Sequence, residues 1–501
     1  MLTKKIDYTV QNAIQFIDEN KSLINKQYRN KFHVMPPIGW LNDPNGFIYF
    51  KGEYHLFYQF HPYESKWGPM HWGHVKTKDF LNWDELPVAL APDQDYDKYG
   101  CFSGSAIEKD GKLYLIYTGV TDGEIENEHL QIQCMAVSED GIHFEKLKNP
   151  IIETDQLPPN AKREDFRDPK VFEKEGTYYM VVASKTKWET GQILLYESKN
   201  LFDWTFSSVF LEGTKEQGIM WECPDFFEVD GKDCLIISPM KWPEENNNYQ
   251  NLNSSILFTG KVNWNNKQFE VGTTQEMDHG LDFYAPQSTA DDEGRRICIG
   301  WMQTWGRTMP TDTLSHQWAG TMSIPRQLNI RNNKLIQSIP SEIVNGFKQV
   351  EIVESKVYKQ GEYLLNNDIR EGLITLEFSK KKSEKFDLQI KSNESEKTVI
   401  YYDSDKNSVG LNRSESGIVI EGEEKHHLSN RYVVLDDENV TLKLQIVLDT
   451  SSVEVFVNDG EAVLSSTIFP QEDGGKMTLV TDSGIELLNG NVAKIVKDRK
   501  E

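Results

Sequence analysis

Short apolar runs alternate with polar turns between residue 40 and about residue 302, in a unit that recurs five times. Each unit has a small or acidic turn, an apolar run, a turn with a charged residue or glycine, and a second apolar run. The turn glycines are 59, 65, 55 and 63 residues apart, namely Gly52, Gly111, Gly176, Gly231 and Gly294. A period near 60 that contains several short strands is typical of propeller blades. The pattern therefore predicts an all-β protein with a five-bladed β-propeller.

Two other all-β folds compete with this interpretation, a pair of β-sandwiches and a β-solenoid. Solenoid repeats are shorter than about 60 residues. A sandwich would not repeat its turn motif five times along the chain. The propeller is therefore the favoured prediction.

The pattern changes on both sides of the repeat. Apolar residues at near-helical spacing predict an amphipathic helix over residues 6–28, within an N-terminal segment 1–30. We expect the propeller over 31–337 and a linker over 338–365. Residues 366–501 alternate apolar and polar positions, and a clear hairpin turns at 458–460, which predicts a C-terminal β-sandwich.

Length, charge and cysteine content narrow the class of protein. A chain of 501 residues is too long for one core. The formal net charge of −24 argues against a nucleic-acid or anionic-membrane partner, since both require basic surfaces. The five cysteines include no CxxC pair, the N-terminus lacks a signal-peptide core, and no apolar run approaches a membrane span. We expect a cytoplasmic protein without disulfides, and its oligomeric state, a homodimer included, stays open.

The predicted propeller brings polar residues together. The innermost strand of every blade lines the central channel, so residues near the start of these strands converge on one axis. Five residues hold this place, eight to twelve residues ahead of their turn glycines: Asp43, Ser103, Asp168, Glu222 and Asp282. We expect a ring of polar groups at one end of the channel.

Carboxylates at one channel mouth predict glycoside hydrolysis, which uses one carboxylate as nucleophile and one protonated carboxyl group near the leaving oxygen. Asp43 lies in a stiff proline turn, which suits a positioned nucleophile. Glu222 is longer and follows Trp221, and apolar surroundings favour the protonated form that a general acid needs. Asp168 follows Arg167, so it should stay ionised and bind substrate hydroxyls. Retention would require the Asp43 and Glu222 carboxyl groups to lie about 5 to 5.5 Å apart.

Several motifs match one family of enzymes. They span residues 40–46, 102–105, 166–169, 221–225, 282–285 and 449–456. With them the chain resembles glycoside hydrolase family 32, the β-fructofuranosidases, which include bacterial sucrose-6-phosphate hydrolases and invertases. The resemblance covers nearly the whole chain. It implies a five-bladed propeller followed by a β-sandwich, and retaining hydrolysis of terminal β-D-fructofuranosides through a fructosyl-enzyme.

The resemblance also implies roles for single residues. Asp43 would be the nucleophile, Glu222 the acid/base and Asp168 the transition-state stabiliser, in agreement with the assignment from the residues alone. Eight positions match those that contact the sugar in the family: Trp40, Asn42, Gln59, Trp67, Phe102, Ser103, Arg167 and Trp305.

No cofactor and no metal are expected, since carboxylate chemistry needs neither. A group of histidines could suggest a metal, namely His55, His61, His71 and His74. Their spacing matches no zinc pattern, and aromatic residues surround them. We therefore expect them to have structural roles.

The sequence leaves the exact sugar open. Cytoplasmic placement favours sucrose 6-phosphate over extracellular fructan, with sucrose and short fructo-oligosaccharides as alternatives. A phosphate would require a cation near the glucosyl side, and the candidates in loops are Lys66, Arg163, Lys185, Lys187, Lys241 and Arg307. Other interpretations are a five-bladed arabinan or xylan glycosidase, a fructosyltransferase and a non-catalytic sugar-binding propeller. The motifs around Asp43 and Glu222 favour hydrolysis of fructosides.

Overall fold

Five antiparallel sheets follow one another in the computed structural model, which describes residues 7–381, 384–424, 428–435, 439–472 and 474–495. The first blade contains β1 (Gly39–Phe50), β2 (Glu53–His61), β3 (His71–Thr77) and β4 (Asp84–Glu85). The second contains β5 (Gly100–Lys109), β6 (Lys112–Asp122), β7 (His129–Ser138) and β8 (Glu145–Lys146). The third contains β9 (Ala161–Lys174), β10 (Thr177–Thr186), β11 (Gly191–Ser198) and β12 (Thr205–Glu212). The fourth contains β13 (Met220–Val229), β14 (Lys232–Met240), β15 (Ile256–Asn263) and β16 (Gln268–Glu276).

The fifth blade closes the ring. It contains β17 (Tyr284–Ala290), β18 (Arg296–Trp301), β20 (Arg326–Arg331) and β21 (Lys334–Ser338), while the two-residue β19 (Trp318–Ala319) pairs in parallel with β1. The inner strands β1, β5, β9, β13 and β17 each contact the next, and β17 contacts β1. This closed circle of inner strands confirms the five-bladed propeller.

The charged-glycine turns join the first two strands of their blades. Lys51 and Gly52 have φ values of 50° and 84°, as the two central residues of a type I′ hairpin turn require. The pairs at 110–111, 175–176 and 230–231 have the same conformation. Since the inner strand runs towards these turns, its start lies at the opposite end of the channel.

Residues 347–495 form a β-sandwich, the C-terminal fold that the sequence predicts. One sheet contains β22 (Phe347–Ile352), β23 (Lys356–Tyr358), β25 (Gly372–Ser379), β30 (Thr441–Asp449), β31 (Ser452–Val457), β32 (Ala462–Thr467) and β34 (Ile485–Ile495). The other contains β24 (Gly361–Asn366), β26 (Lys385–Ser392), β27 (Lys397–Asp403), β28 (Ser408–Glu415), β29 (Asn430–Val434) and β33 (Lys476–Thr481). Their inner faces share one apolar core. Residues 496–501 of the predicted domain lie outside the described residues.

The predicted linker, residues 338–365, proves to be part of the sandwich. It contains the short helix Ser341–Asn345, then β22 and β23, which pair with β34, and most of β24, which pairs with β33. Five of the six side chains of β22 are exposed, so its sequence lacks the apolar alternation that marks a strand.

The N-terminal helix is shorter than predicted. It runs over Val10–Asn20 and is followed by a 3₁₀ turn, Lys21–Leu23, whereas residues 1–6 lie outside the described residues. Thr9 caps it by accepting a hydrogen bond from the backbone N–H of Asn12. Ala13 and Ile17 pack on the propeller core, and beyond the 3₁₀ turn the backbone becomes extended at Ile24. Other short helices are Thr154–Gln156, Pro310–Thr313 and Asn458–Gly460.

The propeller and the sandwich share a continuous interface. One apolar cluster contains both Trp40 of the propeller and Phe456 of the sandwich. Beside it, His33 lies between two buried carboxylates of the sandwich, with Nδ1 2.8 Å from Asp449 and Nε2 3.1 Å from Glu454. The two domains are therefore joined by both packing and polar contacts.

A cavity of about 630 Å³ opens at the turn end of the channel. It is lined by the later parts of the inner strands, for example Ile48, Ile107 and Val171, and none of the predicted site residues lines it. The cavity is therefore separate from the end where the carboxylates converge. Among the described residues, no helix has the length and apolar character that crossing a bilayer requires.

Candidate active site

All five inner strands are interrupted by a β-bulge near their start. The register shifts between residues 41 and 44 in β1, 102 and 104 in β5, 167 and 170 in β9, 222 and 225 in β13, and 284 and 287 in β17. Bulges redirect side chains and are frequent beside active sites. Here they bring four residues into one chain of contacts at one end of the channel, which runs from Ser103 through Asp43 and Cys223 to Asp168.

Three of these bulges share a rare backbone conformation. Asp168, Cys223 and Ala285 have φ values of 63°, 48° and 51°, and each precedes a proline. Left-handed residues other than glycine are uncommon, and a following proline further restricts the backbone. Strain of this kind persists where the surrounding structure enforces it, often at functional sites.

Aligning the bulges on their prolines corrects the predicted equivalence of the ring residues. Glu222 corresponds to Arg167 and Tyr284, one residue earlier than Asp168 in the motif. The three carboxylates do converge, but from two different positions of the bulge. The difference arises because the prediction aligned the strands on their acidic residues, whereas Pro169 and Pro224 both lie seven residues before their turn glycines.

Asp43 is buried, and its two carboxylate oxygens differ in their contacts. Oδ2 accepts a hydrogen bond from Ser103 Oγ at 2.8 Å and lies 3.5 Å from Cys223 Sγ. Oδ1 is buried without a hydrogen-bond partner among the described residues. Burial and the charge of Glu222 raise the pKa of Asp43 to about 6, against the lowering effect of its contacts with Ser103 and Cys223. Near neutral pH, Asp43 is therefore mostly ionised.

Asp168 lies beside both Cys223 and Arg167. Its Oδ2 accepts a hydrogen bond from the backbone N–H of Cys223 at 3.0 Å, and Arg167 Nε lies 3.9 Å from the same oxygen. Burial raises the pKa of Asp168 above its usual range, the charge of Arg167 opposes this, and Glu222 and Asp43 add to it. The expectation that Arg167 simply keeps Asp168 ionised is therefore incomplete, because it leaves out the burial.

Glu222 is held by two side chains from neighbouring blades. Arg167 donates to its Oε1 from Nη2 at 2.9 Å and from Nε at 3.2 Å. The hydroxyl of Tyr284 lies 2.7 Å from Oε2. Trp221, the predicted apolar neighbour, instead lies in the core between blades and donates to the carbonyl of Gln217. The setting of the Glu222 carboxyl group is thus polar rather than apolar.

The residues predicted to contact the sugar lie around the end of the channel where the carboxylates converge. Trp40 donates from Nε1 to Asn42 at 2.7 Å and stacks on Trp305, with ring centroids 6.2 Å apart. Trp67 is half exposed and meets Phe102 edge-on at 5.9 Å. Gln59 is buried opposite the first bulge, where its amide donates to the carbonyl of Cys101.

Asp282 does not join the predicted ring. It is fully buried, and its carboxylate binds Arg307 and two sandwich residues, Arg413 and Thr467. The fifth blade instead reaches the carboxylates through Tyr284.

The histidines of the first blade contact one another or backbone carbonyl groups. His55 Nδ1 lies 3.0 Å from His74 Nε2, and burial is the main cause that lowers the pKa of both. His61 and His71 contact backbone carbonyls. Within the described part of the chain, no group of three or more His, Cys, Asp or Glu residues could hold a metal ion.

Comparison with known proteins decides the family. The model of the glycosyl hydrolases family 32 N-terminal domain matches residues 33–339, and that of the family 32 C-terminal domain matches residues 345–496. The chain belongs to glycosyl hydrolase family 32. It is therefore a glycosidase, as predicted, and the matched ranges follow the propeller and the sandwich.

Relatives of this family 32 enzyme match over nearly their whole length. Sucrose-6-phosphate hydrolase of Escherichia coli is 38% identical over 97% of this chain and 98% of its own. A Bombyx mori family 32 beta-fructofuranosidase has a TM-score of 0.83 at 32% identity, covering 97% of this chain and 98% of that one. Sucrose-6-phosphate hydrolase from Lactobacillus gasseri has a TM-score of 0.85 at 28% identity, covering 97% and 99%.

Two residues of the site were missed in the sequence. Cys223 lies within 3.6 Å of both Asp43 and Asp168, and Tyr284 contacts Glu222. A signal for Tyr284 was present, since aligning the inner strands on their prolines rather than on their acids selects it. The same alignment also selects Cys223, which precedes Pro224 as Asp168 precedes its own proline, but the sequence pattern does not reveal its left-handed backbone.

Proposed function

We propose that this family 32 enzyme hydrolyses terminal β-D-fructofuranosides with retention of configuration, and that sucrose 6-phosphate is its principal substrate. The observation that carries the proposal is the convergence of Asp43, Asp168 and Glu222 at one end of the channel, within one network of contacts. Retaining glycosidases require a carboxylate nucleophile and a carboxyl acid/base on opposite sides of the scissile bond.

In the first step, Asp43 attacks the anomeric carbon of the fructosyl group. The unpartnered Oδ1 suits this attack, since Oδ2 is occupied by Ser103 and Cys223. Glu222 gives its proton to the glycosidic oxygen as that bond breaks. The products are a fructosyl ester of Asp43 and the released aglycone.

In the second step, water attacks the ester and Glu222 takes up the proton. This restores the Asp43 carboxylate and the protonated Glu222, and releases fructose with its original configuration. Arg167 and Tyr284 hold the Glu222 carboxyl group in one orientation through both steps.

Asp168 is proposed to bind sugar hydroxyls. Its backbone N–H donates to Thr118, and Cys223 and Arg167 fix its carboxylate, so the group is positioned before substrate arrives. A preorganised carboxylate stabilises the positive charge that develops on the fructosyl ring in the transition state.

The proposal of a phosphorylated substrate rests on the relatives and on basic residues at the carboxylate end of the channel. Sucrose-6-phosphate hydrolases at 36 to 38% identity cover most of the chain. We place the enzyme in the cytoplasm, with a phosphorylated disaccharide as substrate. The loops that connect the second and third strands of the blades lie at the carboxylate end, since the second strand runs antiparallel to the first.

Among the described residues, four of the six candidate cations lie within 4 Å of a carboxylate, and Lys66 is the most loosely held of them, with Nζ 3.8 Å from Asp312. Arg307 is buried against Asp282 and Glu424, Lys185 binds Asp165, and Arg163 lies 3.4 Å from Glu124. The exposed ones are Lys66, Lys187 and Lys241. Lys66 is the strongest candidate, because it precedes the half-exposed Trp67 and 69% of its side chain is exposed.

Replacing the acid/base tests the reaction. Glu222→Ala should lower kcat for sucrose by about 10²- to 10⁴-fold, the usual contribution of general acid–base catalysis. The matched control is Glu228→Ala, an exposed residue at the other end of β13. Equal fructose release by Glu222→Ala and wild type would overturn the assignment.

Comparing two substrates tests the phosphate. The ratio of kcat/KM for sucrose 6-phosphate to that for sucrose should exceed about 10, since a phosphate–lysine contact gives a charge-assisted hydrogen bond. Lys66→Met should reduce the ratio, and Lys51→Met, in the turn at the opposite end of the propeller, should not. A wild-type ratio near one would remove the case for a phosphorylated substrate.

A further inference from the structure

A segment of the propeller that carries Trp305 is held by the sandwich. After β18, residues 302–309 leave the fifth blade at the carboxylate end of the channel. The backbone N–H of Thr308 donates to the carbonyl of Glu421 at 2.7 Å, and that of Glu423 donates to the carbonyl of Gly306 at 2.8 Å. Arg307 and Gly422 thereby form a short antiparallel bridge between the two domains.

Arg307 adds an ionic contact at the same place. It donates to the Glu424 carboxylate from Nε at 2.9 Å and from Nη2 at 2.8 Å, in a two-pronged contact. Its Nη1 donates to Asp282 at 2.8 Å, and Nη2 also donates to Asn251 at 3.0 Å. Burial lowers the pKa of Arg307, but Glu424 and Asp282 outweigh this and raise it above its usual value, so the guanidinium stays charged.

Asp282 extends this network further into the sandwich. One carboxylate oxygen binds Arg307, while the other binds Arg413 of β28 and the backbone N–H and hydroxyl of Thr467 in β32. The residue expected in the channel ring is thus an anchor between the domains. It fixes the chain two residues before Tyr284, which contacts Glu222.

The anchored segment reaches the active site through Trp305. Trp305 stacks on Trp40 with an interplanar angle of 15°, and Trp40 donates to Asn42, next to Asp43. Trp305 is partly buried against the propeller core, and its carbonyl lies 3.5 Å from the Asn253 amide. A displacement of residues 303–309 would therefore move an aromatic wall of the sugar site.

A contribution to the stability of the folded state does not by itself explain the buried ion pair of Arg307 and Glu424. The cost of removing both charges from water often cancels their attraction, whereas a buried pair can select one arrangement of the chain. Here the selected arrangement is the position of residues 303–309, which lie between β18 and the short helix Pro310–Thr313.

We propose that Glu424 of the sandwich is a positioning residue for the fructosidase reaction: through Arg307 it holds residues 303–309, and with them the indole of Trp305 against Trp40. The inference rests on the proposed function and on the predicted contact of Trp305 with the sugar. It gives the sandwich a defined part in the site, although no sandwich side chain needs to touch substrate.

A double-mutant cycle tests the inference. Glu424→Gln keeps the shape and hydrogen-bonding oxygen but removes the charge, and it should raise KM for sucrose about 3- to 10-fold with a smaller change in kcat. Trp305→Ala should raise KM further. If Glu424 acts through Trp305, Glu424→Gln should have less than a twofold effect on KM in the Trp305→Ala background. Independent effects that multiply in the double variant would overturn the inference.

Two controls separate positioning from folding. Glu423→Gln removes the same charge from an exposed neighbour and should leave KM unchanged. Glu424→Asp keeps the charge with a shorter side chain, and it should recover part of the wild-type KM. A KM for Glu424→Gln equal to that of Glu423→Gln would also overturn the inference.

Hydrogen exchange provides a readout that does not depend on catalysis. Peptides covering residues 303–309 should exchange faster in Glu424→Gln than in wild type, because the Thr308 amide loses part of its protection. If wild type hydrolyses no fructoside and exchange still rises in this segment, the proposed function fails while the anchoring role holds. Unchanged exchange in an active enzyme would overturn the anchoring role alone.

Discussion

Arg167 directs two N–H groups at a single oxygen of Glu222, with Nη2 at 2.9 Å and Nε at 3.2 Å from Oε1. The remaining nitrogen, Nη1, donates to Asp165 at 3.0 Å and to Gln131 at 3.2 Å. Arg167 therefore ties the proposed acid/base of the fourth blade to fixed partners in the second and third blades. Its own charge is secure, because Glu222, Asp168 and Asp165 raise the pKa of Arg167 more than burial lowers it.

Replacing the guanidinium group of Arg167 by an ammonium group should impair catalysis. Arg167→Lys keeps the charge but cannot make both contacts to Glu222 and the contact to Asp165 at once. We expect kcat/KM for sucrose to fall about 100-fold, since misplaced catalytic groups have effects of that size. Arg163→Lys, four residues earlier and partly exposed, is the matched control and should remain active. Activity within threefold of wild type for Arg167→Lys would contradict this role.

Ser103→Ala should move the acidic limb of the pH profile. Asp43 must be ionised to attack, so kcat/KM should fall as the pH falls through about 6, the raised pKa of Asp43. The hydrogen bond from Ser103 lowers this pKa, so its loss should shift the limb to higher pH. The pH dependence of kcat/KM for wild type, Ser103→Ala and the exposed control Ser414→Ala measures the shift. A limb that moves to lower pH in Ser103→Ala would be inconsistent with the argument.

Tyr284→Phe should lower kcat while leaving the fold intact. The variant keeps the buried ring but removes the hydroxyl that lies 2.7 Å from Glu222. Burial, together with Glu222, raises the pKa of Tyr284 well above its usual value, so the hydroxyl keeps its proton at working pH. We expect kcat to fall about 10-fold, the size of one lost hydrogen bond to a charged group. Tyr196→Phe, equally buried but bonded to the Gln156 carbonyl, should keep its kcat.

Because of His33, the free energy of unfolding should fall as the pH becomes alkaline. Asp449 and Glu454 raise the pKa of His33 to about 9, although burial alone would lower it. Because the pKa of His33 is higher in the folded state than in the unfolded chain, where it is about 6.5, its contribution to the free energy of unfolding is complete below about pH 6.5. This contribution is then lost as the pH rises through about 9. His33→Gln should lower the free energy of unfolding by on the order of 3 kcal/mol at pH 6.

Denaturant titrations between pH 6 and 9.5 measure this effect. The difference between wild type and His33→Gln should shrink across that range, as the wild type loses the ionic contribution. The exposed His143→Gln provides the control, and its curve should follow wild type. A difference that stays constant with pH would show that His33 contributes through packing alone.

Sequence reasoning reached the repeat, the five blades and the convergence of Asp43, Asp168 and Glu222. These features follow from local periodicity, which a single chain displays. The role of Asp282 was wrong because its partners, Arg413 and Thr467, come from a domain more than 100 residues away. No local pattern indicates which arginine will meet which carboxylate across a domain interface.

The extent of the sandwich shows a second limit. Strands β22 and β23 pair with β34 near the end of the chain, and their outward side chains are polar or exposed. Edge strands of this kind lack a buried face, so hydrophobic alternation cannot reveal them. The polar setting of Glu222 was missed for a related reason, since Arg167 and Tyr284 reach it from other blades.

The parallel pairing of β19 with β1 has a consequence for protein synthesis. The strand that bears Asp43 is translated 279 residues before the partner of its start, since Gly39 pairs with Trp318. At ~5–20 residues per second, the interval is roughly a quarter of a minute to a minute. During that time the start of β1 lacks its parallel partner. The strand that bears Asp43 therefore reaches its complete pairing only after Trp318 and Ala319 have been translated.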